Sequence, residues 1–191
     1  MEFRQESMLE RDIAFHCGPA LTGIKSANLF CADIKKYPFI YDGIKQLNKR
    51  LNRCGIFFLI LSENKGRVQI LAYRREKLEK YLTDKNILEF LHSQGYPEEF
   101  SLDNYLNILK SRISDYCEFP HEIGAFLGYP IEDIYGFINH PKEGCLYCGY
   151  WKVYDDAEAK RELFKRYDIC RNCIVNRVEM GIGLDDLFKS A

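Results

Sequence analysis

The sequence predicts an α+β fold: a small antiparallel sheet packed with many helices, plus a cysteine-rich C-terminal segment. Three observations carry that expectation. The apolar run Ile56-Phe57-Phe58-Leu59-Ile60-Leu61 and the β-rich stretch 67–73 flank the turn Glu63-Asn64-Lys65-Gly66, which reads as a hairpin over about 56–73. Apolar residues at helical spacing then recur up to about residue 140. Strands followed by a run of helices is the order of an α+β chain rather than of a wound parallel sheet. Last come two C-x2-C pairs, Cys145/Cys148 and Cys170/Cys173.

Taken in order, Leu9, Ile13, His16 and Ala20 form a stripe that predicts a helix over 9–17, punctuated by Gly18 and Pro19. A short strand is expected at 28–32. Ile44, Leu47 and Leu51 mark a helix after a loop at Tyr37-Pro38, with Gly55 as its stop. Beyond the hairpin, Leu78/Leu82 and Leu88/Leu91 mark two short helices, the second ended by Gly95. Ser101 is placed to cap a longer helix carrying Leu102, Tyr105, Leu106, Leu109 and Ile113. Pro120 fits the first turn of a helix ended by Gly128, and Pro130 opens another with Ile131, Ile134, Phe137 and Ile138. A seam at 140–144 divides the chain into an α+β core over 1–140 and a cysteine-rich segment over 141–191. That segment is read as a metal-clamped subdomain of the same fold.

The chain of 191 residues is 47% hydrophobic and 14% aromatic, enough apolar mass for one domain with a real core. Its 27 basic and 28 acidic side chains leave a net charge of −1, so no global field draws it to nucleic acid or to an anionic membrane. No stretch resembles a signal peptide, and no apolar run is long enough to span a bilayer. A cytoplasmic protein is expected, in which eight cysteines stay reduced, metal-bound or catalytic. Protein or small-molecule partners fit this composition; a membrane does not, and nucleic acid is disfavoured.

Zinc favours four thiolates at tetrahedral corners, and two residues between cysteines let one turn of chain aim both sulfurs at one ion. Cys145, Cys148, Cys170 and Cys173 are therefore the candidate metal ligands, with Gly149 easing the first hook. Asp155 with Glu158 reads as a capping box for a helix to about residue 167, and the second hook as the start of the last helix. Hook, strand-like stretch and second hook resemble a treble-clef zinc site. An iron–sulfur cluster, a dithiol redox pair and four ordinary buried cysteines are the alternatives.

Two further segments carry candidate catalytic residues. His16-Cys17 lies at a helix end, where adjacent residues do not face each other and the dipole does not favour a thiolate; packing is the expected role. His121-Glu122 follows Pro120 and lacks the second histidine of the H-E-x-x-H zinc motif. Cys117 stands four residues before His121, but Pro120 argues against one continuous helix through both. Proton transfer or metal ligation there requires convergence with His16 and Cys17. Lys45, Lys49, Arg50 and Arg53 read as a solvated helix face. Arg161, Lys165, Arg166, Arg171 and Arg177, beside Tyr150, Trp151 and Tyr154, allow a weak nucleic-acid interface, offset by neighbouring acids.

Four segments together carry a resemblance: His16-Cys17-Gly18-Pro19-Ala20-Leu21-Thr22-Gly23-Ile24-Lys25; Gly55-Ile56-Phe57-Phe58; the run 119–130, which includes Pro120-His121-Glu122-Ile123-Gly124; and Gly149-Tyr150-Trp151-Lys152-Val153-Tyr154. In this order they resemble an uncharacterised bacterial family, domain of unknown function 3793. The resemblance implies a stand-alone cytoplasmic protein of about this length and brings no activity. Gly18 and Ala20 stand where the family pattern more often has Ala or Ser and Thr, so no hydroxyl chemistry is expected there.

The sequence thus predicts a cytoplasmic binding or regulatory protein with a structural four-cysteine metal site. The rival is a thiol- or metal-dependent redox enzyme using His16, Cys17, His121 and Glu122. A weak nucleic-acid binder acting through the basic tail is the third reading.

Overall fold

In the computed structural model, residues 2–115 and 120–189 are described; Cys117 lies outside them. Three antiparallel strands, β1 (Ala27–Asp33), β2 (Ile56–Asn64) and β3 (Arg67–Arg74), form a sheet in the order β1-β3-β2. The hairpin turn places Lys65 at φ 49° and Gly66 at φ 76°. Positive φ at both central residues gives the turn the twist that two-residue hairpins favour. The short strand expected at 28–32 is β1, which makes β3 the central strand.

Alternation along the strands sends side chains to two faces, and both faces are buried. Phe30, Ile56, Phe58, Val68, Ile70 and Ala72 point into a first core. There they meet α1 (Glu2–Leu21), α2 (Ile40–Leu51), α8 (Ala157–Glu179) and α9 (Leu184–Phe188). Ala27, Leu61, Leu71 and Tyr73 point into a second core. That core is covered by α3 (Arg75–Leu82), α4 (Lys85–Ser93), α5 (Leu102–Asp115), α6 (Ile123–Phe126) and α7 (Ile131–Asn139).

Three local expectations need correction. α1 runs on past Gly18 and Pro19 to Leu21. A proline this near the end of a helix removes one backbone bond and is tolerated. Gly18 has a packing role instead: a Cβ there would lie 2.8 Å from Cα of Arg171, so the glycine lets α8 cross α1 closely. The helix expected after Pro120 is a single turn, α6, closed by Gly128 at φ 70°. The largest correction concerns the tail. α8 is one uninterrupted helix from Ala157 to Glu179, capped by Asp156, whose carboxylate accepts from the Ala159 N–H at 3.1 Å. Cys170 and Cys173 sit inside it and do not open a helix.

The C-terminal segment is packed into the body. Ile174, Val175 and Val178 of α8, with Leu184 and Phe188 of α9, are buried in the first core against α1 and the sheet. Glu10 of α1 accepts from the backbone N–H of Leu184 at 3.0 Å and pairs with Arg50 of α2.

A small second sheet, β4 (Tyr147–Cys148) and β5 (Lys152–Val153), leans on the first half of α8. Trp151 and Val153 pack there with Phe164 and Tyr167. Any side chain at Gly149 would strike Phe164, 2.4 Å from the Cβ position. Asp133 of α7 fastens this hairpin. Its carboxylate, only 2% exposed, accepts from Trp151 Nε1 at 2.7 Å and from the backbone N–H groups of Tyr154 at 2.6 Å and Asp155 at 3.2 Å. Gly136, one turn on, lets Tyr154 approach, since a Cβ there would lie 2.3 Å from its ring.

Asp133→Ala strands three donors in a dry site, and hydrogen bonds to a charged acceptor are worth about 1.5–3 kcal/mol each. The substitution is expected to cost about 3 kcal/mol or more in urea unfolding and to red-shift the emission of Trp151, the chain's sole tryptophan.

Candidate functional site: an aromatic cavity beside the hairpin

The hairpin, α6 and α7 enclose a cavity of about 260 Å³. Pro120, His121, Ile123 and Gly124 form one side, from the turn of α6 and the residues before it. Ile134 and Phe137 of α7 form another, and Trp151 and Lys152 close the third. Tyr129 lies between them, its ring stacked on Trp151 with centroids 4.7 Å apart. The position of Tyr129 is fixed through its carbonyl, which accepts from the Tyr81 hydroxyl. The walls are mostly aromatic and aliphatic.

Few polar groups reach this space. The carboxylate of Asp133 is used up by the hairpin. His121 is exposed and sits edge-on to the Phe137 ring, with centroids 5.8 Å apart. Lys152 Nζ lies 5.5 Å from the centre of the same ring and donates to the Pro141 carbonyl at 2.7 Å. Behind Tyr129 lies Lys25, 5% exposed, its Nζ 5.0 Å from the ring centre. Burial draws the Lys25 pKa from 10.5 down to about 7, with the nearby Cys17 opposing the shift.

Sequence comparison places this geometry in a family. The family described as "Protein of unknown function (DUF3793)" matches residues 13–188. The chain belongs to the DUF3793 family. No curated protein and no solved structure matches it. Three of the four segments that carry the family resemblance meet around Tyr129: Lys25 ends the first, Pro120–Tyr129 belongs to the third, and Trp151 and Lys152 lie in the fourth.

The sequence-derived candidates fall elsewhere. Cys17 is fully buried in the first core, and burial pushes its thiol up to about 12. His16 is on the outer side of α1, stacked on Phe30 at 5.4 Å; partial burial lowers its pKa. Glu122, 4% exposed, pairs with Arg112 of α5 at 2.6 Å, while Arg112 donates to the Gln94 carbonyl and covers the Tyr96 ring. Glu122 therefore serves α5–α6 packing. Of His16, Cys17, His121 and Glu122, only His121 reaches the cavity.

The two cysteine hooks lie on different elements. Cys145 and Cys148 are exposed on the hairpin, which rests on α8 near Phe164 and Tyr167. Cys170 and Cys173 lie further along that helix, Cys173 exposed. Among the described residues no group of three or more His, Cys, Asp or Glu side chains is placed to hold a metal ion. The basic tail residues are partly engaged within the fold: Arg161 covers Tyr147, Lys165 pairs with Glu162, and Arg171 pairs with Asp168 and covers Phe15. No helix among the described residues is long and apolar enough to cross a membrane.

Sequence reasoning missed Lys25, Tyr129 and Asp133 as members of one site. The available signal was an acid at position 133 inside the apolar pattern of 131–138, with a lone tryptophan donor downstream.

Two outcomes test these assignments. Iodoacetamide at neutral pH is expected to modify the exposed Cys31, Cys145, Cys148 and Cys173 and to leave Cys17 untouched until the chain is unfolded, as peptide mass mapping would read. The depressed pKa of Lys25 means that the unfolded chain holds the extra proton between about 7 and 10.5, so its contribution makes stability rise with pH in that window. Lys25→Met removes this slope. Its stability relative to wild type should be highest at pH 6 and fall by about 2 kcal/mol by pH 9 in parallel urea titrations.

Proposed function

We propose that the chain is a binding protein that holds a small, mostly apolar molecule in the aromatic cavity between α6, α7 and the β4–β5 hairpin. The convergence of two family-pattern segments, 119–130 and 149–154, on that one cavity carries the reading, and a third reaches the Tyr129 ring through Lys25. A space of this size fits one substituted ring: a cavity of about 150 Å³ takes benzene, and drug-sized ligands fill roughly 300–1,000 Å³. The walls offer ring faces and edges suited to a planar guest. A binding role agrees with the state of the candidate catalytic groups, since Cys17 is buried as a thiol and Glu122 is spent on Arg112.

Trp151 supplies the readout. Excitation at a wavelength selective for tryptophan, during titration with 4-ethylbenzamide, should give a saturable change in emission. Phe137, 38% exposed, removes part of the wall without emptying the core when truncated. Phe137→Ala is expected to weaken binding at least tenfold with little change in the urea midpoint. Absence of any saturable signal with ring-sized probes, anionic, neutral and cationic, would remove the cavity as the working site.

A further inference from the structure

Resting on the cavity as the binding site, we infer that its ligand is a planar aromatic acid, whose anionic group sits at the Lys152–His121 mouth and whose ring lies against Tyr129, Trp151 and Phe137. Charge at the cavity decides the sign. Among the described residues the only acid in its lining is Asp133, and both of its oxygens are engaged: Oδ1 by the Tyr154 and Asp155 N–H groups, Oδ2 by Trp151 Nε1. A cationic guest therefore finds no free carboxylate among the described residues of the walls.

Donors stand at the mouth instead. Lys152 has three N–H donors and spends one on the Pro141 carbonyl at 2.7 Å. That single bond arches its ammonium over Phe137, leaving donors for an oxyanion beside the ring. His121 also lines the cavity, its ring edge-on to Phe137 with centroids 5.8 Å apart. Lys25 is buried against the Tyr129 ring and forms no ion pair among the described residues. Aromatic walls with an ammonium beside the Phe137 ring match a guest that has a π-face and a carboxylate at one edge. A carboxylate held by a lysine in a partly dry mouth gains more than it would in water.

An isosteric trio separates the sign of the charge from ring binding: 4-ethylbenzoate, 4-ethylbenzamide and 4-ethylbenzylamine, each titrated against Trp151 emission and by calorimetry at 50 and 300 mM salt. The expected result is binding of the benzoate at least tenfold tighter than the amide, with the amine weakest and the benzoate advantage shrinking at high salt. Lys152→Met should bring the benzoate down to the amide while leaving the amide unchanged, and His121→Gln should reduce the same advantage in part. Equal binding of benzoate and amide, or preference for the amine, overturns the inference while leaving a binding cavity. Failure of all three to bind sinks both the inference and the cavity reading beneath it.

Discussion

The arrangement depends on one buried carboxylate. Asp133 offers its oxygens to an indole N–H and to two consecutive backbone N–H groups of the strand end that follows β5. A buried charge is costly unless hydrogen bonds replace its water, and here the donors come from a segment some twenty residues downstream. Paying that desolvation fixes the hairpin on α7, turns the Trp151 ring toward Tyr129, and so creates the wall of the cavity. The same bonds silence the acid toward any guest. One interaction thus determines both the shape of the space and the sign of the charge it presents.

The tail shows how a short segment finds stability. Its apolar contacts to the body are extensive: α8 lies along α1, closely enough that Gly18 meets the backbone of Arg171, and it delivers Ile174, Val175 and Val178 to the same core that holds one face of the sheet. Burial of such side chains is worth about 1.5–3 kcal/mol each. The hairpin in turn rests on the first half of α8 through Phe164 and Tyr167. The C-terminal quarter is thus one flank of a sheet that needs cover on both faces.

What could be read from the sequence was local. The hairpin stood out because alternation, a β-rich composition and the Lys65-Gly66 turn agree at one place. α2, α4 and α7 followed from stripes of apolar residues with clear stops. The failures also have a local cause. Cys170 and Cys173 look like punctuation, but at a spacing of three they fit a helix without distortion, so α8 ran through what seemed a boundary. His16-Cys17 drew attention as reactive residue types, yet a thiol facing the core of a helix pair is chemically quiet. The cavity was invisible because its walls come from residues 120–137 and 151–152, with Lys25 behind them, and no periodicity links such distant positions.

Lys25 is the least expected member of this constellation. Lysine is seldom fully buried unless paired, and here its nearest recorded partners are an aromatic face and a thiol. Attraction to the Tyr129 ring offsets part of the lost hydration, while the fall of its pKa to about 7 shows that the offset is incomplete. Such a residue costs stability, and a plain apolar side chain would pack there at less expense. Its position explains what the cost secures. The amine stands over the Tyr129 ring, the ammonium of Lys152 stands over Phe137, and the carboxylate of Asp133 is occupied by three N–H donors. These placements leave the Lys152 ammonium as the charged group free to meet a guest beside the rings, which is the ground for inferring an aromatic anion.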